Sequence, residues 1–250
     1  MAFVPQMIRL DTTLLTKVTT LTSDCFSSRN RCNNMYSIKE AFYSLQGEGA
    51  HAGRPALFCR FTGCNLWSGL EKTRSQSDCQ FCDTDFIGTD GQNGGKFKTA
   101  SQLRSHIDAL WPSGHGYKYV VFTGGEPALQ LDTSLIKEMK DHGYMIAIET
   151  NGTLALPDGI DWICVSPKTP KKLVITKGDE LKLVYPQEQL DPEQFETLDF
   201  DNFYLQPMDQ GHLSVDQIPL INTQEATLHY CLSHPRWRLS LQTHKMLNID

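Results

Sequence analysis

Three cysteines, Cys64, Cys79 and Cys82, stand in the stretch GCNLWSGLEKTRSQSDCQFCDTD with the spacing C-x14-C-x2-C. Four thiolates would close a tetrahedral zinc site or occupy every iron of a [4Fe–4S] cluster, whereas three leave one iron open to a non-protein ligand. Adding Cys59 gives C-x4-C-x14-C-x2-C, close to zinc-ribbon spacing, so a zinc-binding interaction module is an alternative on spacing alone. Strand alternation argues against it: in ALFCRFTG, Leu57, Cys59 and Phe61 share one face while Phe58, Arg60 and Thr62 share the other. Cys59 then points into apolar packing, away from the strand end that carries Cys64. Downstream, VVFTGGEPALQ runs a strand into Gly124 and Gly125, where the missing Cβ atoms let a ligand approach the backbone. The same residues also suit a plain strand-to-helix turn with Pro127 in its first turn.

Such residues need a scaffold to bring them together. Strand patterns cover 36–46, 56–63, 117–125, 144–152, 161–169, 181–186 and 202–209, and helical patterns cover 99–110, 131–142 and 223–233. Their alternation predicts an α/β fold with a largely parallel sheet. Seven strands with a reduced number of helices predict an incomplete, partial TIM-like barrel. Several strands run into polar or glycine-rich segments, TGGE at 123–126, ETNG at 149–152, SPK at 166–168 and QPMD at 206–209. These are C-terminal strand ends, where α/β proteins build their sites.

Composition narrows the partners. Lys plus Arg total 23 against 29 Asp plus Glu, a net charge of -6, which disfavours a broad basic surface and direct nucleic-acid binding. No apolar run reaches membrane-spanning length, and Arg9, Asp11 and Lys17 interrupt the N-terminal apolar stretches, so no membrane partner and a cytoplasmic location are expected. In that reducing compartment the eight cysteines read as metal ligands plus buried thiols, with Cys164 and Cys231 expected to pack in apolar runs. Residues 1–34, rich in Thr, Ser and Asn, predict a flexible leader, dispensable or a start-site artefact, ahead of a domain spanning 35–250.

Taken in order, FYSLQGEGAHAGRPALFCRFTGCNLW, CQFCDTDF, TGGEP, ETNGT, SPK, QPMD and WRLSLQTHK resemble the radical S-adenosylmethionine superfamily and, within it, the 7-carboxy-7-deazaguanine synthase family. The usual superfamily spacing is C-x3-C-x2-C; the long insertion here is a form found in that family. The resemblance runs from Met35 to the end. It implies a radical SAM-type partial barrel, a [4Fe–4S] cluster on Cys64, Cys79 and Cys82, and S-adenosylmethionine (SAM) on the open iron as source of a 5′-deoxyadenosyl radical. The implied reaction contracts the ring of 6-carboxy-5,6,7,8-tetrahydropterin to 7-carboxy-7-deazaguanine with loss of ammonia. It also implies an external electron donor of flavodoxin type and a homodimer. A glycyl-radical-enzyme activase would share the cluster chemistry, but the x14 insertion and the scattered pterin-site matches disfavour it.

Residue by residue, the resemblance implies substrate contacts from Leu45, Gln46, Gly47, Arg60, Thr123, His244 and the terminal Asp250. Arg60 is suited to gripping the substrate carboxylate as a fork. It implies SAM contacts from Gly125, Glu149, Ser166, Pro167, Lys168, Gln206, Pro207, Met208 and Asp209. Thr84 is implied as a ligand of Mg²⁺, an ion that favours oxygen and can bridge to the substrate carboxylate. Read without the resemblance, Thr84 is a turn or cap residue, His244 a structural histidine, and Glu149 a solvated charge.

Overall fold

The computed structural model describes residues 35–114, 116–171, 173–211 and 222–249; the leader expected at 1–34, and Asp250, lie outside the described residues. Among these described residues nine strands form one sheet: β1 (Tyr36–Leu45), β2 (Pro55–Phe61), β3 (Gly95–Phe97), β4 (Tyr119–Gly124), β5 (Met145–Thr150), β6 (Trp162–Val165), β7 (Lys177–Tyr185), β8 (Asp199–Pro207) and β9 (Trp237–Leu239). Their order is β3-β1-β2-β4-β5-β6-β7-β8-β9. From β2 to β9 every neighbour is parallel, while β1 pairs antiparallel with both β2 and β3. The end strands do not pair with each other, so the sheet is the open, partial barrel expected from the sequence. All seven expected strands are present. The two that sequence patterning missed, β3 and β9, have three residues each, too few to display a period.

Among the described residues four α-helices accompany the sheet: α1 (Ala100–Leu110), α2 (Thr133–Asp141), α3 (Thr223–Ser233) and α4 (Thr243–Leu247). The first three start where a polar side chain can satisfy free backbone donors: Thr99 accepts from the Gln102 N–H, Asp132 from Leu135, and Asn222 from Gln224 and Glu225. The five-residue α4 lacks such a cap and was not expected.

Strand alternation sorts the side chains. Along β4, Val120 and Phe122 join Leu57, Cys59 and Phe61 of β2 under Leu103 and Ile107 of α1 and Leu135, Ile136 and Met139 of α2. Tyr119 and Val121 face the other way, with Ala56 and Ala147. In the second half, Leu181, Leu183, Phe203 and Leu205 pack with Trp237 in a separate core. The residues between them, Lys182, Val184 and Gln206, are left to line a cavity on the opposite face. Burial of these apolar side chains is the favourable term that holds helices to sheet. Because Phe122 is fully buried between sheet and helices, Phe122→Ala is expected to lower stability by about 3–5 kcal/mol, read as a shift of the urea unfolding midpoint with unchanged slope.

Candidate active site

A cavity of about 440 Å³ opens at the C-terminal ends of the parallel strands, a size suited to a small molecule. Leu45, Gln46, Gly47, Arg60, Cys64, Cys79, Cys82, Thr84, Thr123, Gly125, Glu149, Ser166, Lys168, Gln206, Pro207, Met208, Asp209 and His244 all line it. The sequence-predicted site thus converges from elements nearly two hundred positions apart. Pro167 is the exception: it does not line the cavity, and its carbonyl accepts from Gln187 Nε2 at 3.3 Å, so it spaces Ser166 from Lys168. Asp250 is beyond the described residues.

The three thiols sit on two loops. Cys64 follows β2, and its sulfur accepts the Leu66 N–H at 3.4 Å. A hydrogen bond between the Cys79 and Cys82 side chains pushes Cys79 up and draws Cys82 down to about 6, with burial working against the lowering. Cys59 lies in the apolar core with Leu57 and Phe61, and burial alone pushes its thiol far up. A ligand role would need it to leave that core, which removes the four-cysteine zinc arrangement. Among the described residues no three His, Cys, Asp or Glu side chains close on a single ion; a cube of four irons instead presents its thiolate positions on separate corners.

Two further observations fit the cluster and SAM. At Gly125 an added Cβ would fall 2.8 Å from Cys64 Cβ, so only glycine lets the β4 end lie against the first cysteine; the preceding Gly124 has φ +145°. Among the described residues Ser166 Oγ, buried beside the cavity, has no hydrogen-bond partner, so a polar ligand group there would meet an unsatisfied hydroxyl.

Glu126, unassigned by sequence reasoning, organises this corner. It is 0% exposed. Its Oε1 accepts Thr150 Oγ1 at 2.7 Å and the Ala128 N–H at 2.9 Å, and its Oε2 accepts the Asn151 N–H at 2.7 Å. Burial raises its pKa against the pull of those donors. Asn151 Nδ2 in turn donates to Asn65 Oδ1 at 2.9 Å, tying β5 to the residue beside Cys64.

A second polar network crosses the floor. Glu48 accepts Lys182 Nζ at 2.5 Å, Gln206 Nε2 at 3.1 Å and Gln242 Nε2 at 3.0 Å. Burial opposes the Glu48 charge, yet Lys182 and Gln242 hold its pKa below the usual carboxylate value. Burial likewise opposes the Lys182 charge, and Glu149 and Glu48 keep it firmly protonated. Glu149 is half-buried rather than freely solvated: it accepts Gln46 Nε2 at 3.0 Å and stands 3.6 Å from Lys182. Cys164 departs from simple apolar packing, because the register places it between Glu149 and Glu180, and its thiol donates to Glu180 at 3.5 Å. A lysine inside the apolar run LKLVY was the available signal for this network.

The segment through α4 closes one side. Thr243 Oγ1 donates to the Gly47 carbonyl at 3.0 Å, and a Cβ at Gly47 would come within 2.1 Å of His244 Nδ1, so the two expected substrate contacts meet only because residue 47 is glycine. Lys245 bridges Asp83, at 2.7 Å, and Asp209. Asp83 is held at about 2: burial resists, but the Lys245 hydrogen bond and charge prevail. Arg60 Nε donates to Glu40 at 2.7 Å, and Arg60 lines the cavity. Thr84 Oγ1 stands 3.4 Å from Asp83 Oδ1.

The model of the Radical SAM superfamily matches residues 74–180, beginning inside the insertion. A 7-carboxy-7-deazaguanine synthase of Caulobacter vibrioides is 56% identical over 214 residues, 86% of this chain and 99% of the relative. That of Burkholderia multivorans is also 56% identical over the same shares, and that of Haemophilus influenzae 33%, over 86% of this chain and 94% of its own. The crystal structure of QueE from Escherichia coli superposes with a TM-score of 0.59 at 26% identity, covering 83% of this chain and 94% of that one.

The Glu48–Lys182 pair has a pH signature. A carboxylate with a depressed folded pKa contributes stability above its unfolded value of 4.5 and loses it as pH falls through the folded value. In the cluster-free chain, Glu48→Gln is expected to lose about 3 kcal/mol at pH 7, because buried Lys182 loses its closest carboxylate and keeps only Glu149, at 3.6 Å. It also flattens the acid-side decline below pH 4.5; urea unfolding across pH measures both.

Proposed function

The chain belongs to the 7-carboxy-7-deazaguanine synthase family, and from that premise we propose that it contracts the ring of 6-carboxy-5,6,7,8-tetrahydropterin to 7-carboxy-7-deazaguanine with release of ammonia. The family works with a [4Fe–4S] cluster and SAM and makes a precursor of queuosine. The observation that carries this reading is the convergence of three thiols, the double glycine and the SPK and QPMD segments on one cavity at the strand ends.

In this reading Cys64, Cys79 and Cys82, which line one cavity, would hold three irons. When bound, the cluster and SAM together supply the radical chemistry. The chain's own residues bind and orient. Gly125, Ser166, Lys168 and the 206–209 segment accommodate SAM, with the free Ser166 Oγ taking a polar group of it. Arg60, steadied by Glu40, grips the pterin carboxylate through its Nη groups. Gln46, Gly47, Thr123 and His244 complete the pterin site, and Glu149, bonded to Gln46, stands where substrate and cofactor residues meet. Thr84, beside Asp83 and with Asp85 on the same wall, offers oxygen to Mg²⁺, which would tie the substrate carboxylate to the cluster loop. The reading further includes a catalytic domain at 35–250, a homodimer, an external flavodoxin-like electron donor and a cytoplasmic location, where thiols stay reduced.

The test is an anaerobic reaction of iron–sulfur-reconstituted chain with reductant, SAM, Mg²⁺ and 6-carboxytetrahydropterin, followed by mass spectrometry. 7-Carboxy-7-deazaguanine is expected, abolished by Cys64→Ala and retained in Cys59→Ala, which should keep full iron. Thr84→Ala is expected to lose the Mg²⁺ dependence together with most turnover. Formation of 5′-deoxyadenosine alone would show that the substrate is a different one.

A further inference from the structure

Fourteen residues separate Cys64 from Cys79, far more than ligation requires, and one side chain organises them. Arg74 is only 5% exposed. Its Nε donates to both carboxylate oxygens of Glu71 at 3.0 and 2.9 Å. Its Nη1 donates to two carbonyls, Gln80 at 3.1 Å and Cys82 at 3.0 Å. Its guanidinium carbon stands 4.0 Å from the Trp67 ring centroid, and Trp67 packs edge-on against Phe86. The insertion therefore wraps a buried cation and delivers it to the backbone of the C-x2-C segment.

Peptide geometry decides what that cation does. The Gln80 carbonyl and the Phe81 N–H belong to one planar peptide, and the Phe81 N–H bonds to the Cys79 sulfur. A positive charge on the carbonyl end polarises the peptide and strengthens its N–H at the other end. Hydrogen bonds to the ligand sulfurs and nearby charge are what set the potential of an iron–sulfur cluster. We propose that Arg74 is a positioning residue that fixes the Cys79–Cys82 backbone and raises the reduction potential of the cluster. Glu71, whose side chain is 69% exposed, offsets part of that charge. The inference rests on the ligation by Cys64, Cys79 and Cys82 given under Proposed function.

The experiment is an EPR-monitored redox titration of the reconstituted full-length chain at low ionic strength, with iron content measured alongside. In Arg74→Gln the ratio of reduced to oxidised cluster at a fixed ambient potential is expected to fall at least tenfold, a midpoint lower by about 59 mV. In Glu71→Gln, which keeps the arginine and its carbonyl contacts, the ratio is expected to rise at least twofold. Shifts of opposite sign support the inference, since a purely structural role predicts none in Glu71→Gln. A wild-type midpoint in iron-replete Arg74→Gln overturns it. If Arg74→Gln binds no iron, Glu71→Gln decides, and an unmoved midpoint there overturns the inference equally. A wild-type chain that assembles no cluster overturns the ligation reading as well, whereas a full cluster with unmoved potentials overturns this inference alone.

Discussion

Glu126 has no exposed surface, and its two oxygens accept hydrogen bonds from Thr150, Asn151 and Ala128. A buried carboxylate is costly unless each lone pair is used, so the end of β4, its following turn and the end of β5 are held in a single arrangement. Asn151 carries the constraint across to Asn65, and Glu126 N–H donates to the Gly63 carbonyl at 2.9 Å. The loop bearing Cys64 is thereby referenced to the same fixed point as the double glycine. The Cys64 loop, the double-glycine backbone and the β5 end depend on it for their relative placement.

The cavity floor follows the same logic with a full ion pair. Lys182 and Glu48 are poorly hydrated, and such a pair offers little net stability against an apolar replacement. What it contributes is specificity of position: Glu48 joins β7 through Lys182, β8 through Gln206 and the C-terminal segment through Gln242. Lys245 then anchors that segment to the loop carrying Cys82 at Asp83 and to the β8 end at Asp209. Arg74 does the corresponding work inside the insertion, where its carbonyl contacts shape the two-cysteine turn. Polar side chains with several partners, rather than apolar packing, set the geometry of the reactive face.

Cys59 illustrates what local pattern can decide. Period-2 alternation placed it with Leu57 and Phe61, and the core it enters confirms that placement. The seven longer strands, the three longer helices and the polar strand ends were legible for the same reason: each is a periodicity or composition shift within about ten residues. The same signal failed for β3, β9 and α4, which are too short to carry it, and for the antiparallel direction of β1, since alternation is identical in either direction.

By itself, then, the sequence determined the α/β class, the open barrel, the spacing of the three clustered cysteines and, through ordered motifs, nearly every wall of the cavity. These are properties of residue type and short-range spacing. Tertiary structure alone decided which of those residues meet and what holds them. Glu48 finds Lys182 134 positions away, Gln242 reaches back to Glu48 across 194, and His244 settles on Gly47. No local pattern encodes such partners, because their pairing exists only once the sheet has curved and brought the strand ends around one space.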